Sequence, residues 1–226
     1  MNEQIQMLSK AAKLLSPLDE RIIFTGGATI SLYLDEVSAA DVRPTKDVDC
    51  VVEITTTAEY YRLSDKLREI GLEEYTGGGP LCRWQYQELI IDIMPTDPSV
   101  LGFSNSWYIP GITQAITYNL PSSQQIWIFP VSYLLASKIE AFNSRGKRDF
   151  YGSPDLEDIV LLLDGCLYLE EELQQADAVV ITFIKEWLTT ELKTLREYAP
   201  YHLSFVAKNA GREQLLLSLI ERLAAI

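Results

Sequence analysis

Three cysteines, a single histidine and no apolar run long enough to cross a bilayer are what this 226-residue sequence has little of, and each shortage removes a class of function. Cys50, Cys82 and Cys166 are odd in number, widely spaced and without a C-x-x-C or histidine neighbour. Neither a disulfide framework nor a zinc site is therefore expected. With His202 as its only histidine, the chain has little means to build a histidine-based metal centre or a Ser-His-Asp triad. The sustained apolar stretch near the end, Leu215 to Leu219, is far too short to span a membrane, and the N-terminus has no apolar signal region. The expectation is a soluble, cytoplasmic protein with no membrane partner.

Positive charge is also scarce. Nineteen Lys and Arg stand against thirty-two Asp and Glu, a formal net charge of −13. That balance opposes broad, sequence-independent binding to nucleic acid, which relies on cations displacing counterions. Only local basic groups remain: Arg43 with Lys46, and Arg145, Lys147 and Arg148.

The apolar pattern is rich enough for a sizeable core, as one large domain or two small ones. Ile5, Met7, Leu8, Ala11, Leu14 and Leu15 recur at helical spacing and stop at Ser16-Pro17. Arg21 to Phe24 reads as a buried strand ending in Gly26-Gly27, and Ala28, Ile30, Leu32 and Tyr33 predict a helix after it. Val48 to Ile54 is a second strand. Tyr60 to Ile70 is a charged amphipathic helix closed by Gly71. Gly77-Gly78-Gly79-Pro80 is a turn, and Leu81 to Tyr86 with Glu88 to Ile93 form an antiparallel pair.

Residues 95 to 110 read as a long loop, and Ala115 to Tyr118 and Gln125 to Phe129 as two more strands. From Val131 the pattern turns helical: Val131 to Phe142, Pro154 to Leu163, Leu169 to Leu188 with an interruption, and Glu213 to Ala225. The expected division is an α/β domain over 1–130 and a helical domain over 131–226.

Chemistry enters with the acids. On a strand, residues two apart face the same side, so Asp47 and Asp49 present both carboxylates together while Val48 turns inward. Asp92, between Ile90-Ile91 and Ile93-Met94, has no obvious solvated face. An acid in such a run must be neutralised by a cation or by a partner such as Arg83. If Asp92 lies on an adjacent strand, three carboxylates converge on an oxygen-rich site suited to magnesium or manganese. Gly26-Gly27, between a strand and a helix, offers unhindered backbone amides to phosphate oxygens. The Asp-x-Asp of haloacid dehalogenase-like phosphatases ends an apolar strand, whereas here the apolar run follows Asp47, which disfavours that chemistry.

Strand, Gly-Gly, helix, Asp-x-Asp strand and a third acidic strand, in that order, resemble the nucleotidyltransferase fold of polymerase-beta-like enzymes. Gly26-Gly27-Ala28-Thr29-Ile30-Ser31-Leu32-Tyr33-Leu34 followed by Arg43-x-Thr45-x-Asp47-Val48-Asp49 resembles its AbiEii/AbiGii toxin-type branch. Ser137 to Phe142, Arg145 to Asp149 and Asp155 to Ile159 agree with that branch. The resemblance covers roughly residues 20 to 165. It implies a mixed sheet with flanking helices and a helical second half.

The resemblance further implies a metal-dependent nucleotidyltransferase that uses a nucleoside triphosphate and two magnesium or manganese ions. RNA, tRNA-like in kind, or protein is the implied acceptor, and an antitoxin protein the implied partner. Asp47, Asp49 and Asp92 become metal ligands and catalytic residues, joined by Lys138 and Asp158. Gly26, Gly27, Thr29, Arg43, Lys46 and Lys138 become the nucleotide-binding set. Gly27 stands where many members carry serine, and Thr29 offers a substitute hydroxyl. The alternative is a nucleotide sensor or interaction module that keeps the fold without catalysis.

The helical residues also have plain structural readings. Lys138 borders an apolar helix face and can extend along it to water. Asp155, Glu157 and Asp158 follow a Ser153 N-cap and Pro154, where the helix dipole alone favours acids.

Overall fold

The computed structural model describes residues 3–39, 42–102 and 104–225; Asp41 and Phe103, which fall in segments read above, lie outside the described residues. In chain order the elements are α1 (Glu3–Leu15), β1 (Ile22–Thr25), a 3₁₀ helix (Gly27–Leu32), α2 (Glu36–Ala39), β2 (Asp47–Val52), α3 (Thr57–Glu69), β3 (Glu73–Glu74), β4 (Arg83–Tyr86) and β5 (Leu89–Pro95). There follow α4 (Pro98–Leu101), α5 (Tyr108–Thr113), β6 (Ile116–Asn119), β7 (Gln125–Ile128), α6 (Val131–Asn143), α7 (Pro154–Gly165), α8 (Leu169–Gln175) and α9 (Ala178–Tyr198). A 3₁₀ helix (Ala199–His202), α10 (Phe205–Asn209) and α11 (Arg212–Ala225) complete the chain. It divides into two compact units, Met1–Thr29 with Arg43–Pro130, and Ile30–Val42 with Val131–Ile226.

The first unit is built on a mixed sheet in the order β3-β4-β5-β2-β1-β7-β6. β2 runs parallel to β5 and antiparallel to β1, and β1 runs parallel to β7. The apolar continuity of β5 follows from its central place: a strand covered on both faces loses the apolar–polar alternation, and Ile91 and Ile93 are fully buried. Gln87, with a positive φ of 54°, turns β4 back onto β5.

The helix α3 begins in a capping box, in which Thr56 accepts from the Glu59 amide while the Glu59 carboxylate accepts from the Thr56 amide. Tyr60, Leu63, Ser64 and Leu67 supply its buried face, at the 3–4 residue spacing of a helix stripe. Gly71, at φ +94°, ends it with the left-handed residue that helix C-termini favour.

Two expected elements differ. The segment after the glycines is a 3₁₀ helix of six residues, its first turn closed by the Thr29 amide on the Gly26 carbonyl at 3.2 Å. The expected loop at 95–110 contains α4 and the start of α5. Asp97 caps α4 through the Ser99 amide, and Pro98 fits its first position. The expected interruption of the run Leu169 to Leu188 falls at Ala176 and Asp177, whose backbone is extended, and parts it into two helices.

The second unit is helical. Phe142 on α6 meets Phe150 at 4.9 Å and Trp187 on α9 at 6.0 Å, both edge to face, the arrangement that aromatic quadrupoles favour. The Ile30–Val42 segment joins this unit through the Asp35 amide on the Gly165 carbonyl at 3.0 Å. Gly165 admits it closely: a Cβ there would lie 2.6 Å from that of Ser38. No helix among the described residues is long and apolar enough to cross a membrane.

Candidate functional site

The registers of four neighbouring strands place one residue from each in a single row. Thr25 of β1 pairs with Asp49 of β2, Asp49 with Asp92 of β5, and Asp92 with Arg83 of β4. Paired residues project to the same side of a sheet, so one face presents hydroxyl, carboxylate, carboxylate and guanidinium in that order. Asp47, two residues before Asp49, joins the same face. The opposite face takes Val48 and Cys50, both fully buried. The expectation that Asp92 stands on a strand adjacent to Asp47 and Asp49 is met by this register.

Arg83 ties the row together. Its Nε donates to Asp92 Oδ1 at 2.8 Å, and its Nη2 donates both to Asp92 Oδ2 at 2.8 Å and to Asp47 Oδ2 at 2.6 Å. This is the fork geometry in which guanidinium binds carboxylate most strongly. The Asp92 side chain is 7% exposed, that of Arg83 21% and that of Asp47 30%, so the pair is sunk into the sheet while the face stays open at Asp47. The hydrogen bonds from Arg83 to Asp92 raise the guanidinium's already high pKa, with the Asp92, Asp47 and Asp49 charges reinforcing them. Burial pushes the Cys50 thiol well above its usual range, and the Asp49 and Asp92 charges push the same way. Burial likewise takes Cys82 up to about 12, with Asp92 adding to it.

Gly26 has φ +73°, and a Cβ there would lie 1.9 Å from Asp49 Oδ2. Only a glycine allows the chain to turn out of β1 under that carboxylate. The double glycine is thus coupled to the Asp-x-Asp strand by contact. Thr29 is fully buried, and its hydroxyl donates to the Gly26 carbonyl at 2.9 Å, bracing the turn. Lys46 is exposed and Arg43 half-buried just before β2; the Arg43 carbonyl accepts from the Gln4 amide at 2.7 Å.

The donor set suits a hard divalent cation, being all carboxylate oxygen. Among the described residues no three acidic, histidine or cysteine groups are gathered to enclose a metal ion. Arg83 Nη2 stands between two of the three acids.

The second unit holds Lys138 and Asp158 in a buried ionic cluster of its own. Lys138 Nζ lies 2.6 Å from Asp158 Oδ2 and 3.3 Å from Asp155 Oδ1, and Arg145 reaches both oxygens of Asp155 at 3.0 and 3.1 Å. Burial alone would raise the Asp155 pKa. The Arg145 hydrogen bonds and the Lys138 charge outweigh it and hold the carboxyl below its usual range. Asp155 and Asp158 are three apart on α7 and so share a helix face. Ser153 caps that helix through the Leu156 amide. The sequence reading gave Asp155 to the helix dipole; it missed the pairing with Lys138, for which the i, i+3 spacing was the available signal. Trp84 and Trp107 are buried, whereas Trp127 is partly exposed with the Arg21 guanidinium 3.9 Å above its ring.

The model of the family described as nucleotidyl transferase AbiEii toxin, type IV toxin–antitoxin system, matches residues 11–199. Among solved structures, an antigenic nucleotidyltransferase-like protein from Paracoccidioides brasiliensis is 20% identical, covers 88% of this chain and 92% of its own, and has a TM-score of 0.48. The antibiotic-resistance factor ANT(2'')-Ia in solution is 13% identical over 83% of this chain and 95% of its own, at 0.49. Its crystal structure with adenylyl-2''-tobramycin is 12% identical over 82% and 99%, at 0.48. No curated protein sequence matches.

Proposed function

Since the chain belongs to the AbiEii nucleotidyltransferase toxin family, we propose that it moves a nucleoside monophosphate from a nucleoside triphosphate to a tRNA-like RNA or to a protein, as a toxin countered by an antitoxin protein. The observation that carries this reading is the adjacent pairing of Asp49 and Asp92 on parallel strands, with Asp47 on the same face. Two magnesium or manganese ions held by Asp47, Asp49 and Asp92 would supply Lewis-acid stabilisation of the reacting phosphate.

The chain's own residues bind and orient. Gly26 and Gly27 lay unhindered backbone against the outer phosphates, and the Thr29 hydroxyl holds their turn in shape. Arg43 and Lys46, just ahead of β2, add positive charge toward the triphosphate. Asp92 assists deprotonation of the acceptor oxygen. Lys138 compensates triphosphate charge, and Asp158 orients its ammonium.

The test incubates the protein with each α-labelled triphosphate, magnesium or manganese, and total RNA or cell lysate, beside an Asp47→Ala, Asp49→Ala double variant. Label in RNA or in protein, lost in the double variant, identifies the acceptor. Substantial transfer by the double variant overturns the proposal. Triphosphate binding without pyrophosphate release returns the protein to a non-catalytic nucleotide sensor.

A further inference from the structure

We propose that Arg83 is a displaceable counter-ion of the carboxylate face: it offsets part of the charge of Asp47 and Asp92 when no divalent cation is bound and leaves them when divalent cations enter. The inference rests on the reading that these acids bind cations.

Three observations carry it. First, one guanidinium spans two strands, with Nη2 within 2.8 Å of carboxylate oxygens on both β2 and β5. Those are oxygens that an incoming cation would coordinate, and a positive charge already among them opposes its approach. Second, Asp47 and Asp92 together bring two carboxylate charges to one guanidinium. A divalent cation therefore has more to gain there than Arg83 supplies.

Third, few groups hold the guanidinium where it is. Among the described residues it hydrogen-bonds to the two acids alone. Its flank is the glycine turn before β4, where a Cβ on Gly79 would come 3.3 Å from Nη1, and the Tyr75 ring, whose centre is 5.9 Å from Cζ. Gly78 and Gly79 have φ of +86° and +127°, a backbone that a bulkier sequence would not hold open. Once released, a planar guanidinium is suited to bidentate binding of a phosphate oxygen pair. The same side chain then serves as a resting partner for the acids and as a ligand for the nucleotide.

The test measures manganese binding by calorimetry or electron paramagnetic resonance without nucleotide, and thermal unfolding with chelator or with manganese, for wild type, Arg83→Met and Arg83→Lys. Arg83→Met is expected to bind manganese about tenfold more tightly than wild type, equivalent to about 1.4 kcal/mol, and to unfold at lower temperature in chelator but not in saturating manganese. Arg83→Lys, which keeps the charge but cannot bridge both acids, is expected to fall between.

Manganese bound by wild type with equal or weaker affinity in Arg83→Met overturns the inference and leaves the nucleotidyl-transfer reading standing. No manganese binding by any of the three proteins overturns the inference together with the assignment of Asp47, Asp49 and Asp92 as ligands. Should Arg83→Met fold only when manganese is present, that rescue supports the displacement. Failure to fold even then, with Arg83→Lys no tighter than wild type, overturns it.

Discussion

Two of the ionic clusters among the described residues, one in each unit, hold their acids in opposite ways. On the sheet face of the first unit two carboxylates, Asp47 and Asp92, share one guanidinium, on strands, with Asp47 open to water. In the second unit Asp155 and Asp158 are matched by Lys138 and Arg145, on helices, with the Lys138 and Asp158 side chains 8% and 2% exposed. The helical cluster sets two cations against two acids, whereas the sheet face sets one guanidinium against Asp47 and Asp92 and leaves more for an added cation to gain. The contrast separates where acids are held from where acids are offered.

Breaking the second cluster gives the largest expected effect on stability. Lys138→Met takes the ammonium from the buried Asp158, and loss of one partner of a buried pair costs about 3–5 kcal/mol; denaturant unfolding measures it, and a loss below about 1 kcal/mol would mean that the cluster is not a structural one. Gly26→Ala comes next. Its Cβ collides with Asp49 in a left-handed backbone, a conformation that costs about 1–3 kcal/mol for a residue other than glycine. Because the strain falls on Asp49, manganese affinity and nucleotidyl transfer are expected to fall with it, whereas Lys138→Met at low temperature spares manganese binding.

pH sharpens the comparison further. The Asp155 pKa is lowered in the folded state, so its contribution to stability is fully present above the ordinary carboxylate pKa and is lost as pH falls through the lowered folded value. Acid unfolding monitored in wild type and Asp155→Asn is expected to show that the variant, already less stable at neutral pH, loses less on acidification. An identical acid dependence would remove Asp155 from the balance. The smallest effect belongs to a site remote from both clusters: Thr56→Ala removes the N-cap of α3 and is expected to cost about 1 kcal/mol, with transfer unchanged in a radiolabel assay.

What the sequence made legible was local or periodic. The Asp-x-Asp spacing placed Asp47 and Asp49 on one face, the flanking aliphatics placed Asp92 on a strand with no obvious solvated face, and Ser153-Pro154 marked the start of α7. Short elements escaped because their signals look like those of loops. Asp97-Pro98 reads as a turn dipeptide as readily as a helix start. The Arg83 bridge escaped for another reason. Asp92 and Arg83 were legible as neighbours on a hairpin, but the reach to Asp47 depends on β2 lying parallel beside β5, a pairing set by the whole sheet. Lys138 with Asp155 is likewise a tertiary contact between two helices.

The same burial that quiets the centre of the sheet has a practical corollary for the thiols. A cysteine reacts as its thiolate, and all three are buried; Cys50 is held well above its usual pKa, Cys82 at about 12 and Cys166 at about 11. The native chain is therefore a chemically silent background. A single thiol introduced at Leu81, which is 76% exposed two residues from Arg83, would take a fluorescent label alone and watch the glycine turn as manganese is added.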